Sequence, residues 1–359
     1  MKFSTTLCTI GIVFLATFLL CEFFVYYVVL SKCKWPDVGQ DMKDSEPIPA
    51  LLLADTHLLG PYHGHWWDKL RREWQMHRAF QAAVQLFHPE VVFFLGDLFD
   101  EGQWVDQNGF REYVLRFQKL FHTPAGVRTI SAVGNHDIGF HYRLHPLLSE
   151  RFDEAFNHSA VNLHTIRNVH FVTINSMAME NDGCYFCEGA KYKLRKIQST
   201  LDCSKDESKC VIGTTTDRLR YSRPILLQHF PTYRKSDKRC IEGDIPALES
   251  YRENWEVLSK ESTDFIGKTL NPRVVFSGHS HHYCRIKNRL KVEEYTISSF
   301  SWRNKNNPSF LLALFTPDNY AVSICYLPHE TTVIKFYGSS VFLNFVILSV
   351  YLTRKRKQD

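Results

Sequence analysis

Residues 91–100 read VVFFLGDLFD: an unbroken apolar run, then a glycine and two carboxylates within a few residues. A run this short with no polar position fits a strand buried on both faces, as strands of a parallel sheet are. The same grammar recurs on either side. Residues 49–57 read PALLLADTH, and residues 128–137 read RTISAVGNHD. Between the first two runs, from about Trp66 to Phe87, Leu70, Trp74, His77, Phe80 and Val84 fall at helical spacing. From Phe110 to Phe121, Val114, Phe117, Leu120 and Phe121 repeat it. The order predicts β-α-β-α-β, and so parallel strands buried under helices.

Farther along, strands dominate. HFVTINS (170–176), ILLQH (225–229), VVFSGHSHH (274–282), VEEYTISS (292–299), FLLALF (310–315) and AVSICYL (321–327) follow one another. One helical stretch, about Tyr251 to Leu270, interrupts them. This inventory predicts an α/β fold of two packed sheets with helices outside. The segment Asn181–Tyr221 is polar and holds Cys184, Cys187, Cys203 and Cys210, so it is a stapled insertion or a flap. No repeat or low-complexity tract appears. The net charge of +5 comes without a basic stripe interleaved with aromatics, which does not suggest nucleic acid.

Five strand ends deliver polar groups, and in parallel α/β sheets such ends converge on one edge. They carry Asp55 and His57, then Asp97 and Asp100, then Asn135, His136 and Asp137, then His229, then His279 and His281. Alternation on an extended chain puts Asp55 and His57 on one side, as a pair for one metal. Mixed nitrogen and oxygen donors suit Mn²⁺, Fe²⁺ or Zn²⁺ better than Ca²⁺.

In this order, D-x-H, G-D, G-N-H-D, H and G-H-x-H resemble the calcineurin-like metallophosphoesterases, over about Pro49 to Pro328. The resemblance implies an α/β/β/α sandwich and two divalent ions. Asp55, His57 and His281 would hold one, Asn135, His229 and His279 the other, and Asp97 would bridge them. Ions roughly 3.5–4 Å apart lower the pKa of a shared water and aim it at phosphorus. His136 would protonate the leaving oxygen or stabilise the phosphoryl charge, and Asp137 would orient His136 and set its tautomer. The Trp66–Trp67 pair is read as packing against its helix rather than lining a groove or lying near a bilayer. Arg303 is read as solvated.

Both flanks are apolar. Cys8 to Leu30 carries one charge, Glu22, and exceeds the roughly 20 residues of a span. A signal peptide would have a shorter core ending in small residues. A second segment, Phe336 to Leu352, runs into Arg354, Lys355, Arg356 and Lys357, which places the C-terminus in the cytosol. Two spans then put the N-terminus there too. The expected organisation is 1–7 cytosolic, 8–30 spanning, 31–48 linker, 49–328 lumenal domain, 336–352 spanning and 353–359 a basic tail. The closing KRKQD resembles a dilysine retrieval signal. Eight cysteines fall on the lumenal side, an even number that predicts disulfides of unspecified pairing. The lone C-x-x-C at Cys184–Cys187 is read the same way. Asn157-His158-Ser159 is a glycosylation sequon.

Within the family, the anchored layout resembles the branch that remodels glycosylphosphatidylinositol (GPI) anchors. That implies a manganese phosphodiesterase removing ethanolamine-phosphate from an anchor mannose. It further implies GPI-anchored proteins as substrates and, as partners, transport receptors and a retrieval coat. The place implied is endoplasmic reticulum exit sites, the ER-Golgi intermediate compartment and the cis-Golgi. A membrane-proximal phosphatase for lipids or nucleotides, and a scaffold without catalysis, are the alternatives.

Overall fold

The computed structural model describes residues 3–37, 39, 46–210, 219–244 and 250–357. Residues 38 and 40–45 of the expected linker, part of the cysteine-rich segment and the last two residues of the tail lie outside these. The chain opens with helix α1 (Phe3–Leu30). β1 (Ile48–Leu53), α2 (Trp66–Phe87), β2 (Val91–Leu95), α3 (Gln107–Leu120) and β3 (Arg128–Ala132) follow. β1, β2 and β3 are parallel neighbours, as the sequence predicts. Next come α4 (Asn135–Ile138), α5 (Pro146–Phe156), β4 (Val161–Ile166), β5 (Val169–Ile174), α6 (Cys187–Lys205), β6 (Ile225–Gln228) and β7 (Glu242–Gly243). The chain closes with α7 (Lys260–Leu270), β8 (Val274–Ser277), β9 (Cys284–Lys287), β10 (Glu293–Thr296), β11 (Ser309–Phe315), β12 (Tyr320–Tyr326) and α8 (Glu330–Arg356).

The strands form two mixed sheets, ordered β12-β11-β1-β2-β3 and β4-β5-β6-β8-β10-β9-β7. Alternation along β1 explains why they stack. Ala50 and Leu52 join the core between the sheets, whereas Leu51 and Leu53 join the core under the helices. Aromatic rings lock the inter-sheet layer: Phe93 and Phe171 stand 4.8 Å apart, and Phe171 and Phe315 5.2 Å. Each fully buried phenylalanine contributes roughly 1.5–3 kcal/mol. The result is the two-sheet sandwich with helices outside.

Some boundaries differ from the sequence reading. The helix expected from Tyr251 begins only at Lys260, where the Ser259 hydroxyl caps it by accepting from Ser262 N–H at 3.1 Å. The cysteine-rich segment carries α6, flanked by the disulfides Cys184–Cys187 and Cys203–Cys210. Its polar, lysine-rich face masked a helix that buries only a narrow stripe. Cys33–Cys325 and Cys240–Cys284 complete the set, so all eight expected cysteines are paired, while Cys8 and Cys21 stay free. Asn157 of the sequon is exposed at the end of α5.

The two terminal helices are long and apolar enough to cross a membrane. They run past the apolar windows because polar flanking turns continue the helix. They pack antiparallel: Phe3 lies 5.8 Å from Tyr351, and the Tyr337 hydroxyl donates to Glu22 at 2.5 Å.

Candidate dinuclear metal centre

Every chemistry-bearing motif follows the C-terminal end of a parallel strand, from β1, β2 and β3 in one sheet and β6 and β8 in the other. The two stacked sheets therefore bring their strand ends to one cluster. The backbone there is not extended. Asp55, His57, Asp97, His279 and His281 adopt positive φ of 54°, 43°, 49°, 72° and 59°. Asp55 and His57 thus share a side through two left-handed turns, not through the alternation expected of a strand. Such conformations cost about 1–3 kcal/mol each and concentrate where function requires them. Glycine makes the close approach possible: a Cβ on Gly134 would lie 2.2 Å from the Asp97 amide nitrogen.

The side chains form two groups around one oxygen. In the first, His57 Nε2 lies 3.0 Å from His281 Nε2, and Asp55 Oδ1 lies 3.7 Å from that nitrogen. In the second, His229 Nε2 lies 3.1 Å from Asn135 Oδ1 and 3.2 Å from His279 Nδ1. Asp97 Oδ2 stands between them, 3.6 Å from His57 Nε2 and 3.2 Å from His229 Nε2. The structure thus brings all seven expected ligand residues together.

Three of the four rings face an acceptor on the far side. His229 Nδ1 bonds Leu95 O at 2.8 Å, and His279 Nε2 bonds Trp255 O at 2.8 Å. His57 Nδ1 lies 3.3 Å from Asp100 Oδ1. A proton on each outer nitrogen leaves the inner lone pair facing the cluster, the arrangement that metal-binding histidines use.

The electrostatics fit cations. Burial, reinforced by the other histidines, lowers the pKa of His279 to about 3 and lowers those of His57 and His281. Burial and the nearby Asp97 carboxylate push Asp55 up, although the histidines partly counter this. Burial opposes charge on His229 as well, but Asp97 overrides it and raises the ring to about 9. Facing imidazole lone pairs beside crowded carboxylates are reconciled by divalent ions, whose binding would release the protons. The residues present therefore fit a dinuclear centre.

Two roles differ from expectation. Asp137 does not orient the His136 ring: its oxygens accept from Phe99 N–H at 3.0 Å and Gly134 N–H at 2.8 Å, pinning the loop. The His136 ring is held instead by the Asp100 carbonyl, which accepts from Nδ1 at 2.8 Å. Arg303 is not simply solvated, since its Nη2 lies 2.9 Å from Asp100 Oδ2. Asp100 thus joins His57, His136 and Arg303, a role the sequence reading left unassigned. The second carboxylate of GDLFD was its only signal. His136 and His281 mark the open side, with their side chains 38% and 31% exposed. His63 lies on the rim, 3.3 Å from Glu101 Oε1. Trp66 and Trp67 do not pack inward: they are 67% and 57% exposed at the start of α2.

Residues 48–283 match the calcineurin-like phosphoesterase family model. A Drosophila melanogaster protein named metallophosphoesterase 1 homolog is 52% identical, covering 96% of this chain and 92% of its own length. Metallophosphoesterase 1 of Ailuropoda melanoleuca is 44% identical over 94% of this chain and 87% of its own. Among solved structures, GAP50, the anchor in the inner membrane complex of Plasmodium, shares the fold at a TM-score of 0.50. It is 9% identical, over 82% of this chain and 95% of its own.

Proposed function

The chain belongs to the calcineurin-like phosphoesterases, and from that premise we propose that it is a phosphodiesterase removing ethanolamine-phosphate from a mannose of GPI anchors. The observation that carries the reaction is the position of Asp97 Oδ2 between two histidine groups, with His136 beside them on the open face.

Two divalent ions held here would supply a water of lowered pKa and positive charge against the phosphate oxygens. The proposed metal is manganese, which mixed nitrogen and oxygen donors accept. The remaining steps belong to the chain. Asp55, His57 and His281 on one side and Asn135, His229 and His279 on the other fix where each charge sits. The His136 backbone N–H donates to Asp97 Oδ1 at 2.8 Å, keeping in place the carboxylate that would bridge the ions. With Nδ1 committed to the Asp100 carbonyl, the exchangeable proton of His136 resides on Nε2. Burial disfavours the charged ring, but Asp97 and the Asp100 carbonyl outweigh it and raise its pKa. A protonated Nε2 on the open face suits delivery to the leaving oxygen.

The substrate and place rest on further features. Both terminal helices meet the length and composition of spans, and the basic cluster after the second argues for a cytosolic C-terminus. Four disulfides suit a catalytic domain on the lumenal side. The dilysine-type tail supports cycling among ER exit sites, the ER-Golgi intermediate compartment and the cis-Golgi, engaging a retrieval coat and transport receptors. We assign the boundaries of the spans and domain accordingly.

The test is in cells lacking the protein, re-expressing the wild type or His136→Ala, with the anchor glycan of a reporter read by mass spectrometry. The wild type should remove one ethanolamine-phosphate. The variant should be about 10²–10⁴-fold slower, the contribution of a positioned proton donor. If both leave it in place while the purified protein cleaves a generic diester, the anchor assignment fails and a lipid or nucleotide substrate takes its place. Release of inorganic phosphate instead of phosphoethanolamine would identify a phosphatase.

A further inference from the structure

Where α2 leans on the terminal helices, a cavity of about 520 Å³ opens. Phe18 and Tyr337 of the terminal helices, Trp67, Leu70 and Trp74 of α2, and Trp302 after β10 supply its apolar walls. The two charged residues in the lining are engaged. Glu22 accepts from Tyr337, and Arg71 donates to Glu330 at 3.2 Å and lies 5.3 Å over the Trp302 ring. Glu22 sits in a π-turn, Leu20–Phe24, that interrupts α1 at this level. Such turns in otherwise regular helices often mark functional sites.

The walls themselves indicate the occupant: hydrocarbon and indole on every side suit a hydrocarbon chain. The rim is also exposed and apolar: Trp66, Trp67 and Leu70 are 67%, 57% and 55% exposed beside helices fit to span a bilayer. Tryptophan prefers that boundary, where its ring meets lipid and its N–H a polar group. The wall leads to the reaction site. Trp302 is fixed by Nε1–H donating to Pro328 O at 2.8 Å, and its neighbour Arg303 pairs with Asp100.

We propose that this cavity holds one fatty-acyl chain of the substrate's inositol phospholipid. This rests on the reading of a membrane-embedded glycolipid substrate given above. Chain binding selects substrates that still carry their lipid and sets the headgroup on the Arg303 side of the wall.

The test uses the full chain in phosphatidylcholine nanodiscs doped with phosphatidylinositol bearing a diazirine on one acyl chain. After irradiation, adducts are mapped by peptide mass spectrometry. Adducts are expected on Trp67, Leu70, Trp74 and Trp302, and Leu70→Trp, which fills the cavity, should cut them about tenfold, the loss of roughly two buried methylenes. The rate on a vesicle-borne glycolipid relative to bis(4-nitrophenyl) phosphate should fall by the same factor. Adducts confined to the outward faces of α1 and α8, or a rate ratio unmoved by Leu70→Trp, would overturn the proposal. The wild-type map decides the matter if the variant does not fold. Cavity adducts without any glycolipid turnover would keep the chain site and sink the substrate reading.

Discussion

The strand-end cluster and the seam between α1, α2 and α8 both bury charge, and they settle it by opposite means. At the cluster, three carboxylates and five imidazoles crowd one edge, on a backbone strained at five of its residues. Only cations reconcile that crowd. At the seam, one carboxylate, Glu22, is answered by one hydroxyl, Tyr337, and the walls are hydrocarbon and indole. The first region spends stability supplied by the sandwich core on a fixed geometry. The second keeps its polar pair satisfied and leaves room for an apolar guest. Preorganised charge suits chemistry, and an apolar wall suits a lipid.

Substitutions sharpen this contrast in order of size. Asp97→Asn removes the charge shared by both groups. Metal content by elemental analysis should fall from two ions per chain to one or none, with turnover reduced on the order of 10³-fold or more, several kcal/mol of transition-state stabilisation. Two retained ions with normal turnover would show that Asp97 does not bridge. Asp100→Asn keeps the shape but weakens the hold on His57 and Arg303. A loss of about 10–100-fold in activity or metal affinity is expected, and wild-type kinetics would return Asp100 to a purely architectural part. Tyr337→Phe removes the only side-chain hydrogen bond to Glu22 among the described residues. Measured by unfolding in detergent micelles, it should cost about 0.6 kcal/mol, a typical interhelical hydrogen bond in a membrane. A cost as large as that of an unpaired buried charge would mean that the seam, too, is electrostatically preorganised.

The same contrast explains what the sequence disclosed. The seven positions that the structure brings together were legible because each motif is contiguous and each follows a short run that reads as a strand. The left-handed turns were not, since nothing in D-x-H distinguishes them from extended chain. Asp137 was misread because adjacency to His136 suggests contact, whereas α4 turns its carboxylate back onto the backbone N–H groups of Phe99 and Gly134. Asp100 acts through its carbonyl as much as its carboxylate, and main-chain contacts carry no residue signature. Trp66 and Trp67 fit a helix pattern whose inward side is set by tertiary packing. The seam draws on residues as distant as Phe18, Trp67, Trp302 and Tyr337, so no local pattern could assemble it.

The bond between Cys33 and Cys325 gives the chain a closed outline. It ties the residue just beyond α1 to the last strand before α8, so both helices leave a single covalent stem and the catalytic domain is a bight of chain between them. One proteolytic cut anywhere from residue 34 to residue 324 opens the bight without freeing either end. The two fragments would stay joined after a nick, and only a reductant would break the covalent link between them.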